Sequence, residues 1–125
     1  MKAKLDAVFS KYIRARDSID GKYCKCVTCG DVHRLEIMDC GHYFSRAHMG
    51  TRYEEANCHA QCIHCNRFLC GNIEKYTEFM LSSYGEEVID LLRKKKNNPT
   101  HMTRLDYYLM IAYYKEKLQD LTHTI

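Results

Sequence analysis

With 125 residues and a formal charge of +3, the chain is the size of one domain, and composition alone does not announce a nucleic-acid binder. No stretch has the apolar length of a membrane span, and Met1 to Ser18 lacks the uninterrupted apolar run of a signal peptide. A cytoplasmic protein with reduced thiols is therefore expected, in which eight cysteines and seven histidines point to metal rather than disulfides.

The first element expected is an amphipathic helix from about Ala3 to Ser18, because Leu5, Val8, Phe9, Tyr12 and Ile13 recur at helical spacing. The segment up to Arg34 is rich in Lys and Arg, which suits a polyanion and a solvated helix face equally. Tyr23 to Asn66 carries turn residues and seven cysteines, and reads as knuckles and short strands. Asn72 can cap a helix with the stripe Ile73, Tyr76, Met80 and Tyr84, closed by Gly85. The next helix begins at Glu86 and Glu87 and ends in the basic run Arg93 to Lys96, which complements the helix dipole. Asn97, Asn98 and Pro99 break the chain. Thr103 and Asp106 resemble a capping box, with Asp in place of Glu or Gln, and open a last helix running towards Leu121. Leu105 and the run Tyr107 to Tyr114 make that helix apolar on nearly every side, so it should be either a central core helix or a dimer interface.

Cys26 and Cys29 form one CxxC pair, and Cys62 and Cys65 a second. Each two-residue spacer lets a tight knuckle turn both sulfurs towards one ion, and two knuckles complete a tetrahedral zinc site. Four thiolates leave no open position, so this zinc should be structural and should supply much of the folding free energy. Cys24, His59 and His64 are alternative ligands. Cys40, Cys58 and Cys70 have no partner at zinc-ligand spacing and read as small buried side chains.

Between the knuckles stands Asp39-Cys40-Gly41-His42, then Asn57, with Asn66 directly after the last knuckle cysteine. Here the sequence resembles the HNH endonucleases, and most closely their four-cysteine version, as in phage endonuclease VII. Tyr23 to Gly30, Gly41-His42, Arg46, Thr51-Arg52-Tyr53 and Cys65-Asn66-Arg67-Phe68-Leu69 are also similar to the lambdoid phage NinG (Rap) family, a resemblance covering roughly residues 5 to 96. It implies an α+β fold: a small zinc-bound, treble-clef-like ββα-metal core flanked by N-terminal and C-terminal helices. Residues 1–98 would form the nuclease domain, and 99–125 a C-terminal helix available for dimerisation.

The resemblance implies a DNA endonuclease acting on branched recombination intermediates such as Holliday junctions or D-loops, in the host cytoplasm if phage-encoded. His42 would be the base for the attacking water, and Asn57 would fix the ring or its loop. Asn66 would help hold a catalytic Mg²⁺ or Mn²⁺ ion. Many HNH enzymes carry a metal ligand directly before the base, where this chain has Gly41. Asp39 is the expected substitute, provided that the backbone bends at Gly41, since a regular strand would set it about 7 Å further off. His59 is the reserve. Arg46, Arg52 and Arg67 are candidates for gripping phosphates. Two rivals are a non-catalytic zinc module binding nucleic acid or protein, favoured by Gly41, and a sequence-specific HNH nuclease, which would need a base-reading module.

Overall fold

The N-terminal apolar stripe forms helix α1, Lys2–Asp17, in a computed structural model that describes residues 1–123. Leu5, Val8, Phe9, Tyr12 and Ile13 are all buried, as expected of a helix with one core face. Two short antiparallel strands follow, β1 Tyr23–Lys25 and β2 Val32–Arg34. The first knuckle lies in the turn between them. There Gly30 takes φ +81° and donates its N–H to the Cys26 carbonyl at 3.0 Å, a conformation that glycine adopts without strain.

Strands β3, Met38–His42, and β4, Cys58–Cys62, pair antiparallel without interruption from Met38↔Cys62 to His42↔Cys58. The loop joining them contains the short helix α2, Met49–Arg52, and a 3-10 turn over Glu55–Asn57. β4 runs on into a π-helical turn, His64–Phe68, then into α3, Ile73–Ser83, and α4, Glu86–Lys96. Every residue of β4 is buried, because the hairpin is covered on two sides. Cys58 packs into the core of α1, while His59 meets Tyr76 and Phe79 of α3.

Of the stripe expected on α3, Tyr76 and Met80 are buried against Ile89 and Leu92, whereas Ile73 and Tyr84 stay partly exposed. Asn72 does occupy the N-cap position, but its side chain does not cap the helix. Its backbone is left-handed, with φ +48°, and its Nδ2 instead donates to Cys65 Sγ at 3.6 Å. The capping box before α5, Arg104–His123, forms with aspartate: Thr103 N–H donates to Asp106 Oδ2 at 2.8 Å, and Asp106 N–H to Thr103 Oγ1 at 3.1 Å.

α5 packs on α1, burying Ile111 and Tyr114 beside Phe9, Tyr12 and Ile13. Glu55 fastens the two helices, accepting from Tyr12 Oη at 2.9 Å, Tyr114 Oη at 3.2 Å and Lys117 Nζ at 3.3 Å. The opposite face of α5 is left open by the described residues, and Leu105, Tyr108, Leu109 and Tyr113 are each more than half exposed. Among the described residues the architecture is thus mixed α+β, with two small sheets among five α-helices.

Candidate metal centre and cavity

The two CxxC knuckles meet. The sulfurs of Cys26, Cys29, Cys62 and Cys65 all lie within 4.8 Å of one another, and Cys29 Sγ is 3.8 Å from Cys62 Sγ. Tetrahedral zinc with bonds of about 2.3 Å sets its sulfurs about 3.8 Å apart, so the cluster could hold a metal such as zinc. Donors are arranged to support thiolates. The Cys62 N–H reaches Cys26 Sγ at 3.3 Å, and the Cys65 N–H reaches Cys62 Sγ at 3.4 Å. Burial opposes ionisation of Cys26, but the backbone N–H groups of Cys29 and Cys62 outweigh it and bring the thiol down to about 6. Cys24 is not a ligand in this arrangement. It is buried against α1 and donates to the Arg14 carbonyl at 3.2 Å.

Beside this centre α1, β3, the loop after it and the helical turn bearing Asn66 line a cavity of about 810 Å³. His42, Asp39, Asn66, Arg46 and Arg67 all border it. His42 Nε2 lies 3.0 Å from the Arg52 carbonyl oxygen. A carbonyl can only accept, so Nε2 carries the proton and the lone pair of the neutral ring is at Nδ1. Burial, the largest cause, pushes this imidazole below its ordinary value, and the guanidinium groups of Arg52 and Arg46 push the same way.

Asp39 faces away from His42 along the strand yet borders the same cavity. Its carboxylate takes Arg67 in a bidentate pair, Nε to Oδ2 at 2.9 Å and Nη2 to Oδ1 at 2.9 Å, and accepts from Asn66 Nδ2 at 2.9 Å. Burial would raise the Asp39 carboxyl, but Arg67 and Asn66 prevail and hold it below its usual value. With Nδ2 so engaged, the other lobe of the Asn66 amide is its oxygen, an acceptor.

Asn57 lies outside the cavity. It is fully buried, accepting from the Phe44 N–H at 2.9 Å and donating to the carbonyls of Phe44 and Thr51 at 3.0 and 3.1 Å. It clamps the loop following His42. His59, the reserve ligand, is removed from the site. Tyr76 Oη donates to the Gly41 carbonyl at 2.7 Å, so His59 Nδ1–H donates to Tyr76 Oη at 3.0 Å, and Nε2 accepts from Tyr84 Oη at 2.7 Å. Both ring nitrogens are used, and burial lowers the group to about 4.

Arg52 is likewise committed elsewhere. It is 8% exposed, forks onto Asp6 through Nε at 3.0 Å and Nη2 at 2.6 Å, and gives Nη1 to the Arg46 carbonyl at 2.7 Å. Nor does the backbone bend at Gly41, where the register is regular. A Cβ there would collide with the Gln61 side chain, so the missing side chain makes room for a buried glutamine. Gln61 Nε2 donates to Thr28 Oγ1 at 3.1 Å and to the Gly71 carbonyl at 2.8 Å.

Lys96 also reaches the cavity, its Nζ 5.3 Å above the Phe44 ring. Its basic run was visible in the sequence, but the packing of α4 against this loop was not. Cys70, expected to be buried, is exposed.

A family profile described as the Bacteriophage Lambda NinG protein matches residues 1–124. The chain belongs to the NinG family. It is 31% identical to "Protein ninG" of Escherichia phage lambda, over 90% of this chain and 53% of that relative. To the ninG protein of Escherichia phage 933W it is 30% identical over 90% of this chain and 54% of the relative. The Salmonella phage P22 relative is 29% identical over 88% of this chain and 52% of its own length. The chain thus spans about half the length of these curated NinG relatives. No solved structure matches it. Among the described residues no helix is long and apolar enough to cross a membrane.

Proposed function

We propose that this NinG-family chain is a metal-dependent DNA endonuclease of the HNH type, with the β3–β4 hairpin and the turn bearing Asn66 as its ββα-metal core. The observation that carries this reading is the His42 tautomer: its proton is fixed on Nε2 by the Arg52 carbonyl, in the same cavity as Asp39 and Asn66. An imidazole so held can take the proton of an attacking water at Nδ1. The Asp39 carboxylate and the Asn66 amide oxygen are hard donors on one wall, the chemistry that Mg²⁺ or Mn²⁺ requires. An ion held there would stabilise the charge that builds on the leaving 3′ oxygen. Arg46, Arg67 and Lys96 border the cavity and would hold the phosphates on either side of the cut.

Branched recombination intermediates are the proposed substrate class, following the family resemblance. Resolving such a junction takes two opposed nicks, and the uncovered face of α5 supports a homodimer. A second reading is a zinc-stabilised binding module without catalysis, favoured by the full engagement of the Asp39 carboxylate with Arg67.

The deciding experiment is cleavage of a labelled four-way junction beside a matched linear duplex, in Mg²⁺, Mn²⁺ or EDTA, for wild type and His42→Ala. Metal-dependent cutting of the junction, at least a hundredfold weaker in the folded variant, is expected. Equal cutting of both substrates would remove the junction preference, and no cutting in any metal by folded, zinc-loaded protein would favour the binding module.

A further inference from the structure

The β3–β4 hairpin turns a second set of soft donors to one side. Cys40 and His42 are two residues apart in β3, so their side chains leave the same face. Cys58 stands directly opposite His42 in the register. A ring nitrogen of His42 and the sulfurs of Cys40 and Cys58 all lie within 4.8 Å of one another. The Arg52 carbonyl oxygen belongs to the same group of atoms, 3.0 Å from His42 Nε2 and 3.7 Å from Cys58 Sγ. Cys58 is fully buried, whereas Cys40 borders the cavity and opens a path from solvent.

Two sulfurs and an imidazole suit zinc and other thiophilic divalent ions, and they differ from the all-oxygen set that suits magnesium. The cluster shares no residue with the four-cysteine centre. Its size matches a three-ligand site whose fourth position is left to a weak or exchangeable donor. The Arg52 carbonyl or a water could supply that donor.

We propose that Cys40, His42 and Cys58 form a second metal site, selective for a thiophilic divalent ion such as zinc, and that filling it switches off His42 as a base. Binding releases the two thiol protons to solvent and occupies one imidazole lone pair. An ion at Nδ1 consumes the lone pair that would take the water's proton. An ion at Nε2 requires that nitrogen to be deprotonated, so the ring proton moves to Nδ1 and the lone pair there is lost. No electron transfer is involved. The metal site stands apart from the nuclease reading, whereas the switch rests on it.

The test counts ions on the full chain with its four-cysteine centre already filled with zinc. Cadmium is titrated in, and occupancy is followed by native mass spectrometry and by thiolate-to-cadmium absorption. Wild type should take up one further ion, and Cys40→Ala and His42→Ala should each lose it while keeping the first. A wild type that saturates without a further ion overturns the site, as does retention of that ion by either folded variant. Junction cutting in Mg²⁺ should fall at least tenfold as zinc fills the site, and cutting by Cys40→Ala, whatever its basal level, should not respond. If cutting is absent in every metal the nuclease reading and the switch both fail, and the ion count still decides the site.

Discussion

Arg67 holds both carboxylate oxygens of Asp39, each at 2.9 Å. The guanidinium therefore competes for the oxygens that a catalytic cation would need. Arg67→Ala should free Asp39, lowering the Mg²⁺ concentration for half-maximal cutting several-fold. It should also weaken DNA binding and reduce the salt slope of that binding by about 1, the loss of one phosphate contact. A metal titration of cutting and a salt titration of binding read the two effects separately. An unchanged Mg²⁺ requirement would remove Asp39 from the ligand set.

Gly41 is small because Gln61 folds over it. Gly41→Ala should cost about 1–3 kcal/mol, the usual penalty for forcing an extra group into a packed interior. Gln61→Ala should restore space, so the double variant should melt above Gly41→Ala alone. Additive losses in thermal melts would mean that the glycine answers to something other than Gln61.

Asp6 and Arg52 tie α1 to the loop that carries the base. Burial pushes the Asp6 carboxyl up, but the Arg52 pair and the Tyr53 hydroxyl outweigh it and hold it below the ordinary value of 3.8. A depressed folded-state value means that the stabilisation is complete above the unfolded value and is lost as pH falls through the folded one. Asp6→Asn should thus cost about 3–5 kcal/mol at pH 7, since it strands a buried guanidinium. The gap from wild type should narrow below pH 3.8, as urea midpoints at several pH values will reveal. A gap independent of pH would mean that the carboxylate charge is not what matters.

Removing the metal from the four-cysteine centre should abolish the cooperative melt. Structural zinc contributes on the order of 10 kcal/mol in small zinc-bound domains, more than a typical domain has to spare. Circular dichroism after treatment with a strong chelator checks this. A melting curve that survives complete metal loss would reduce the centre to an accessory.

The exposed face of α5 predicts self-association. Wild type should sediment as a dimer at micromolar concentration, and Tyr108→Lys with Leu109→Lys should sediment as a folded monomer. Monomeric wild type would take away the support that α5 gives to paired nicking.

Local features were the legible ones. The CxxC knuckles, the α1 stripe and the Thr103–Asp106 cap each depend on spacings of two to four residues, and each formed. The motif pattern grouped His42, Asn57 and Asn66, with Asp39 as a substitute ligand; His42, Asp39 and Asn66 border one cavity, whereas Asn57 is buried outside it. What escaped the sequence were side chains whose partners lie far along the chain. Arg52 looked free for phosphate because its partner Asp6 is on another helix. His59 looked available because two tyrosines from α3 and its end could not be placed beside it. Cys58 looked like inert filling, since only the strand register sets it opposite His42.

The docking of α1 on α5 also bears on how the chain is made. A ribosome releases α1 well before α5, so the stripe of Leu5, Val8, Phe9, Tyr12 and Ile13 emerges long before Ile111 and Tyr114 exist to complete its cover. At about 5–20 residues per second the wait is on the order of ten seconds. Through that interval Tyr53 and Cys58 arrive to cover part of the stripe, and the remainder stays open to chaperones or to pairing with the α5 of a neighbour already finished.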